Sequence, residues 1–200
     1  MRHNSRYRSL VRVTEPAVEP VSLADAKQHL RVDTDDDNLY ITALISSARE
    51  WCETYIDRTF VETQWTMRMD FFPFEIELPR PPMHPTLTAT VVTYTRDDGT
   101  VETLSAAAYR VDRNSTPGVI RNLYGGSWPS HLLDENSVTV TWWAGYGPDG
   151  QKVPKAIRHA ILMLVAYLYE RRLAADSVPA TEIPFGVKSL LDTHRWGQYA

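Results

Sequence analysis

Acidic side chains crowd into one short stretch, Asp33, Asp35, Asp36 and Asp37, and carboxylates this close together are the raw material of a hard-cation site. A calcium loop also needs a glycine at its sharp turn and a distal glutamate, and neither stands at the required spacing here. An apolar periodic run follows, and the positive end of a helix dipole favours acids ahead of such a run without any metal. The six histidines, His3, His29, His84, His131, His159 and His194, never fall at the short spacings of a zinc helix or finger, and are predicted to be surface or edge groups. Gly145-Tyr146-Gly147 holds two glycines of a dinucleotide fingerprint but lacks the third, and no second parallel strand follows the next helix. No serine occupies a G-x-S-x-G elbow. The single cysteine, Cys52, lies among apolar helix positions, where it packs as a small hydrophobe rather than acting as a nucleophile. Pro79-Arg80-Pro81-Pro82 has the loose form of an adaptor-domain ligand, yet prolines at a sheet edge account for it as well, and the structural reading is the preferred one. No catalytic residue, no metal ligand set and no cofactor is expected.

The elements that would position these residues divide into helices at both ends and strands between. Ser22 and Asp25 have the form of a helix start, and a short helix runs from there to about Arg31. A second helix begins in the acidic stretch and places Leu39, Ile41, Leu44, Ile45, Ala48, Trp51, Cys52, Tyr55 and Ile56 on a broad apolar face. From Phe60 the period changes to that of strands: Gln64 to Met69, Glu75 to Leu78, Leu87 to Thr95, a hairpin turn at Asp97-Asp98-Gly99, Val101 to Leu104, Tyr109 to Asp112, Gly118 to Leu123 and Ser137 to Trp143. Pro154 opens a long helix with Ile157, Ala160, Ile161, Leu164, Val165 and Leu168 at steps of three and four. Its longest charge-free apolar run is about half of the roughly 20 residues that a bilayer needs. The pattern predicts an α+β fold, a small helical bundle with an antiparallel β region inserted between the second and third helices. The expected segments are a flexible basic arm over 1–20, the bundle over 21–58 and 151–173, the β insertion over 59–150, and a C-terminal arm with a short helix over 174–200.

The net charge of −4 on 200 residues conceals an uneven distribution. Residues 1–14 hold four arginines and no acid; residues 15–57 hold three basic against ten acidic groups, and residues 151–200 hold seven against four. An acidic front and a basic back suit head-to-tail contacts between copies of one chain. The candidate subunit interface therefore pairs Asp35, Asp36, Asp37, Glu50 and Glu53 with Lys155, Arg158, Arg171 and Arg172. Trp51 and Trp142 read as core, and Trp143 and Trp196 as interface candidates. The amino-terminal arginines Arg2, Arg6, Arg8 and Arg12 leave open a stand-alone nucleic-acid-binding protein, whose affinity would be steeply salt-dependent and lost with that arm.

The order of motifs is distinctive. A-R-E-W-C-E-T-Y-I-D-R-T-F, E-L-P-R-P-P-M, the D-D-G-T hairpin, Y-R-V-D, P-G-V-I, S-W-P, W-A-G-Y-G, V-P-K-A-I-R-H-A-I-L-M-L-V-A and P-F-G-V-K-S-L-L follow one another from about Pro20 to Trp196. In that order they resemble the head-tail connector (adaptor, head-completion) family of long-tailed phages and gene transfer agents. The resemblance implies a structural virion protein without catalytic residues, located in the neck between capsid portal and tail and in the host bacterial cytoplasm during assembly. It implies a ring, usually twelve-fold, that binds the portal protein and offers a surface to a tail-side completion, stopper or tail terminator protein. Packaged DNA would pass through without sequence-specific binding, and no membrane is involved. Phe185, Val187, Leu190, Leu191 and Trp196 are the residues by which a C-terminal arm would dock on the portal. From the residues alone, a terminal helix folded back on its own bundle is an equal alternative, and the resemblance favours docking.

Overall fold

The computed structural model describes residues 7–87, 89–171 and 183–195. These form two compact units, one from the described residues of Met1–Pro16 and Glu62–Tyr146, the other from those of Ala17–Val61 and Gly147–Ala200.

The first unit is built of strands. A five-stranded antiparallel sheet has the order β1-β2-β8-β4-β5, with β1 at Ser9–Arg12, β2 at Thr63–Met69, β4 at Val91–Thr95, β5 at Val101–Thr103 and β8 at Val138–Ala144. A three-stranded sheet has the order β3-β7-β6, from Glu75–Leu78, Gly118–Asn122 and Tyr109–Asp112. Alternation decides what is inside. Met67 pairs with Val140, which pairs with Val92; all three are buried, and Ile76, Leu78 and Ile120 of the other sheet join the same core. The intervening positions are mostly polar, Trp143 and Val91 being exceptions, and Thr66 and Thr141 share a 2.8 Å hydroxyl hydrogen bond across their pair. The hairpin turn is closed by the Arg96 amide donating to the Thr100 carbonyl at 2.8 Å, with Gly99 at φ +83°, a conformation that glycine adopts at least cost.

The second unit holds the helices α1 (Leu23–Leu30), α2 (Asn38–Ile56), α3 (Lys155–Glu170) and α4 (Phe185–Asp192). Ser22 and Asp25 form the reciprocal capping box expected from their spacing. Ile41, Ile45, Ala48, Cys52 and Ile56 of α2 pack with Ile157, Ala160, Ile161, Leu164 and Val165 of α3, all at most 2% exposed. Burying each of the larger aliphatic side chains contributes about 1.5–3 kcal/mol. The Cys52 thiol is pushed up to about 12 by burial and then by neighbouring Glu53, so it carries no thiolate. The expected α+β layout, with seven strands between α2 and α3, is the one observed.

Four expectations change. The stretch predicted as a flexible arm contains β1, whose register runs from Ser9 against Arg68 to Arg12 against Trp65; four alternating residues among arginines were too short a signal. Leu39, assigned to the apolar face of α2, is 90% exposed, because the first turn of α2 lies ahead of the packed stripe. Arg49 and Glu53 are instead buried. His84, predicted at the surface, is 1% exposed. Its Nδ1 accepts from the Leu87 amide at 2.9 Å, which places the proton on Nε2, 3.2 Å from a Glu62 carboxylate oxygen. The proline segment is also structural: Pro79 and Pro81 are buried, Gly145 donates to the Pro82 carbonyl, and His84 donates to the Trp143 carbonyl.

Candidate functional site

The acidic candidates come from the α1–α2 turn and from α2 itself. Asp35 accepts from Lys27 at 2.7 Å and from the Asn38 amide group at 3.0 Å, and these bonds hold its carboxyl below the usual range, Lys27 contributing most. Asp37 accepts from Tyr169 at 2.5 Å, which ties the turn to the far end of α3. Asp33 and Asp36 are exposed. Glu50 is exposed and lies 3.6 Å from Arg49.

Glu53 is not a surface group. Its side chain is 3% exposed and bonds Arg49 Nη1 at 3.0 Å, and the Phe60 amide donates to its other oxygen at 2.8 Å. Glu19 completes the cluster, accepting from Arg49 Nε and from the Ser46 hydroxyl, both at 2.8 Å. Burial alone would lower the Arg49 guanidinium, but Glu53, Glu19 and Glu50 outweigh it and raise it. The interface role assigned to Glu53 is therefore replaced by a structural one, since the chain itself uses both carboxylate oxygens.

The basic candidates gather at the start of α3. Lys155 is exposed and Arg158 half-buried, with Arg158 Nη1 3.1 Å from Gln151 Oε1. Together with Asp25, His29 and His159 they line a cleft of about 390 Å³ between α1 and α3, to which Leu162 adds apolar surface over the buried Val21. The His29 and His159 rings meet edge to face at 6.1 Å between centroids. Sequence reasoning passed over both histidines, because their partnership across two helices leaves no spacing signal. Arg171 is exposed at the other end of α3, its guanidinium over the Tyr167 ring at 4.5 Å. Arg172 lies outside the described residues.

The docking candidates separate in the same way. Val187 and Leu191 are wholly buried, Leu190 is half-buried and Phe185 is 84% exposed; Trp196 lies outside the described residues. Tyr55 donates to Asp192 at 3.0 Å, and Arg58 donates to the His194 carbonyl. The terminal helix is thus folded onto its own bundle, and Val187 and Leu191 are core residues in this arrangement. The apolar stripe of an eight-residue helix cannot stand alone in water, so the nearest apolar surface takes it.

The basic amino-terminal stretch is partly neutralised. Arg8 Nε lies 2.6 Å from Asp70, with Glu135 at 3.3 Å, and Arg12 lies 3.0 Å from Glu15. Arg2 and Arg6 are outside the described residues. Among the described residues no group of three or more His, Cys, Asp or Glu side chains is placed to hold a metal, and no helix is long and apolar enough to cross a membrane.

Residues 20–79 match the family model of the phage gp6-like head-tail connector protein. No curated protein matches the chain at a significant level. Among solved structures, a chain in the neck of an empty gene transfer agent particle computed with C6 symmetry superposes with a TM-score of 0.75 at 20% identity, covering 94% of this chain and 95% of that one. A chain in the virion of a native gene transfer agent particle gives 0.73 at 18% identity, and one in the neck of the native particle computed with C12 symmetry gives 0.69 at 20%, both with the same coverage. The resemblance read from the sequence is thereby borne out: residues 20–79 match the model of the phage head-tail connector family, and nearly the whole chain has a fold found in gene transfer agent particles.

Proposed function

We propose that this chain is a structural subunit of a virion neck, a head-tail connector that closes as a ring, of twelve copies, beneath the portal. One conjunction carries the reading: the connector-family match over residues 20–79 falls within a fold shared over 94% of the chain with components of necks computed with C6 and C12 symmetry. In this role the ring continues the DNA channel from the portal and presents its opposite side to a tail-side completion protein. DNA passes without base-specific contacts. The family is structural, and we assign the chain no reaction.

A ring needs two different surfaces on each subunit that fit one another and close by rotation. The exposed acids of the α1–α2 turn and the cations at the start of α3 supply a pair of opposite charge. Of the residues proposed for portal docking, Phe185 keeps its side chain outside the bundle and is the anchor on which that contact depends. The nucleic-acid-binding alternative loses ground to the ion pairs of Arg8 and Arg12, which already satisfy two of the four arginines it requires.

The test is to mix the purified chain with the portal of its own particle and examine the product by mass photometry and negative-stain imaging. The expected result is a ring-shaped layer on one portal face, with a mass increment of twelve times 22.8 kDa. A portal that gains no mass at micromolar chain would overturn the reading. Weak duplex DNA binding, lost with residues 1–14 and falling steeply with salt, would favour the alternative.

A further inference from the structure

The start of α3 breaks a local rule. Its first turn contains Lys155 and Arg158 and no acid, although a helix amino terminus is itself electropositive and favours anions there. Among the described residues Lys155 has no ion-pair partner. Residues that violate a local preference without internal compensation are expected where function requires them. Here the cations border a cleft that also holds His29, His159 and one acid, Asp25, and both of Asp25's roles in the Ser22 capping box are internal to α1.

The α1–α2 turn has the complementary character. Lys27 and Tyr169 hold Asp35 and Asp37 and so fix the shape of the turn, while Asp33 and Asp36 have no partner among the described residues. Just beyond them Leu39 is 90% exposed, an apolar tip on an acidic projection. The Asp37 end of the turn lies well away from the cations of the cleft. Asp37 is anchored at Tyr169, fourteen residues along α3 from Lys155, a distance of about 20 Å at 1.5 Å per residue. One subunit can therefore use both surfaces at once, as a head-to-tail ring demands.

We propose that the α1/α3 cleft receives the acidic turn of a second copy of this chain, with Asp33 and Asp36 against Lys155 and Arg158 and with Leu39 on the apolar surface of Leu162. The proposal rests on the ring reading above and specifies the contact that closes it. A nucleic-acid phosphate matches the cations but offers nothing to the apolar surface. The acidic turn matches both, and it is supplied at equal concentration by every neighbour.

The experiment uses full-length chain and portal, with assembly scored by mass photometry and folding by the thermal transition. Asp36→Lys and Arg158→Glu are each expected to raise the chain concentration for half-maximal ring formation at least tenfold at low salt, with unchanged melting. The chain carrying both reversals is expected to recover most of the loss, since the swapped charges meet again in a head-to-tail contact. Leu39→Ser is expected to weaken assembly without lowering stability. Single reversals that assemble like the unaltered chain would overturn the proposal. So would a doubly reversed chain no better than the worse single variant, because that would assign the cleft and the turn to different partners. If the unaltered chain forms no ring on the portal, the ring reading itself fails and this contact fails with it.

Discussion

Shortening Leu191 to alanine tests whether α4 is part of the helical bundle. The side chain is wholly buried, as is Val187 one turn earlier. Removing its terminal carbons from a packed site costs about 2–5 kcal/mol, the range measured where the cavity does not collapse. The lower half of that range is expected, because a terminal helix of eight residues can shift to fill the space or detach outright. A loss of about 2–3 kcal/mol corresponds to a melting temperature lower by roughly 4–12 °C in a chain of this size. Hydrogen exchange with peptide resolution is the suitable assay. Trp65, Trp128, Trp142 and Trp143 lie in the strand unit, so fluorescence would mix the two units, whereas exchange reads α2, α3 and α4 separately. Leu191→Ala is expected to lower protection in α4 first and in α3 next. Phe185→Ser, at an 84% exposed position, is expected to stay within about 0.5 kcal/mol of the starting chain. If α4 amides exchange at unprotected rates before any substitution, and Leu191→Ala costs less than about 0.5 kcal/mol, the docked helix is refuted and the free C-terminal arm returns.

Three further outcomes follow from particular contacts. Arg49→Met leaves Glu53 buried without its cation, and breaking a buried pair from one side costs about 3–5 kcal/mol; urea titration of this variant and of Arg49→Met with Glu53→Gln is expected to show the second as the less damaged. Gly150→Ala would bring a Cβ within 2.5 Å of the Pro20 Cα, so the backbone must move, and a loss of about 1–3 kcal/mol is expected by the same titration. Burial, and then Arg58, hold the His194 imidazole below its usual value, so its neutral form stabilises the fold above the unfolded value of about 6.5 and that contribution disappears as pH falls through the lowered one. Exchange protection of α4, corrected for intrinsic rates, should therefore fall below about pH 6.5, and His194→Gln should flatten the dependence.

Where local chemistry decides, the sequence was readable. Ser22 and Asp25 announce a capping box, Asp97-Asp98-Gly99 announces a hairpin, and Glu75–Leu78 alternates cleanly enough to be delimited to the residue. Periodicity likewise identified the α3 face from Ile157 to Val165. What escaped depends on partners distant in the chain. Arg49 is buried because Glu19, thirty positions earlier, and Glu53 neutralise it; by pattern alone a charged residue belongs outside. β1 exists because Arg8 and the strand behind it find Asp70 and β2, more than fifty residues on. His84 is inside because its amide donates to the carbonyl of Trp143 on a distant strand and its Nε2 faces Glu62. The charge asymmetry pointed to the acidic turn and to Lys155 and Arg158, but not to the cleft, which needs two helices side by side before His29 and His159 can meet.

The order of elements has a consequence during synthesis. Neither unit is a continuous piece of chain: α2 ends at Ile56 and α3 begins at Lys155, with the strand unit translated in between. At roughly 5–20 residues per second, the apolar stripe from Ile41 to Ile56 waits about 5–20 s for the helix that covers it. Throughout that interval the nascent chain displays a sticky helix on the ribosome, close to other copies emerging from the same message. Like charges on the preceding turn and at Glu50 oppose the close approach of a second nascent copy over that interval.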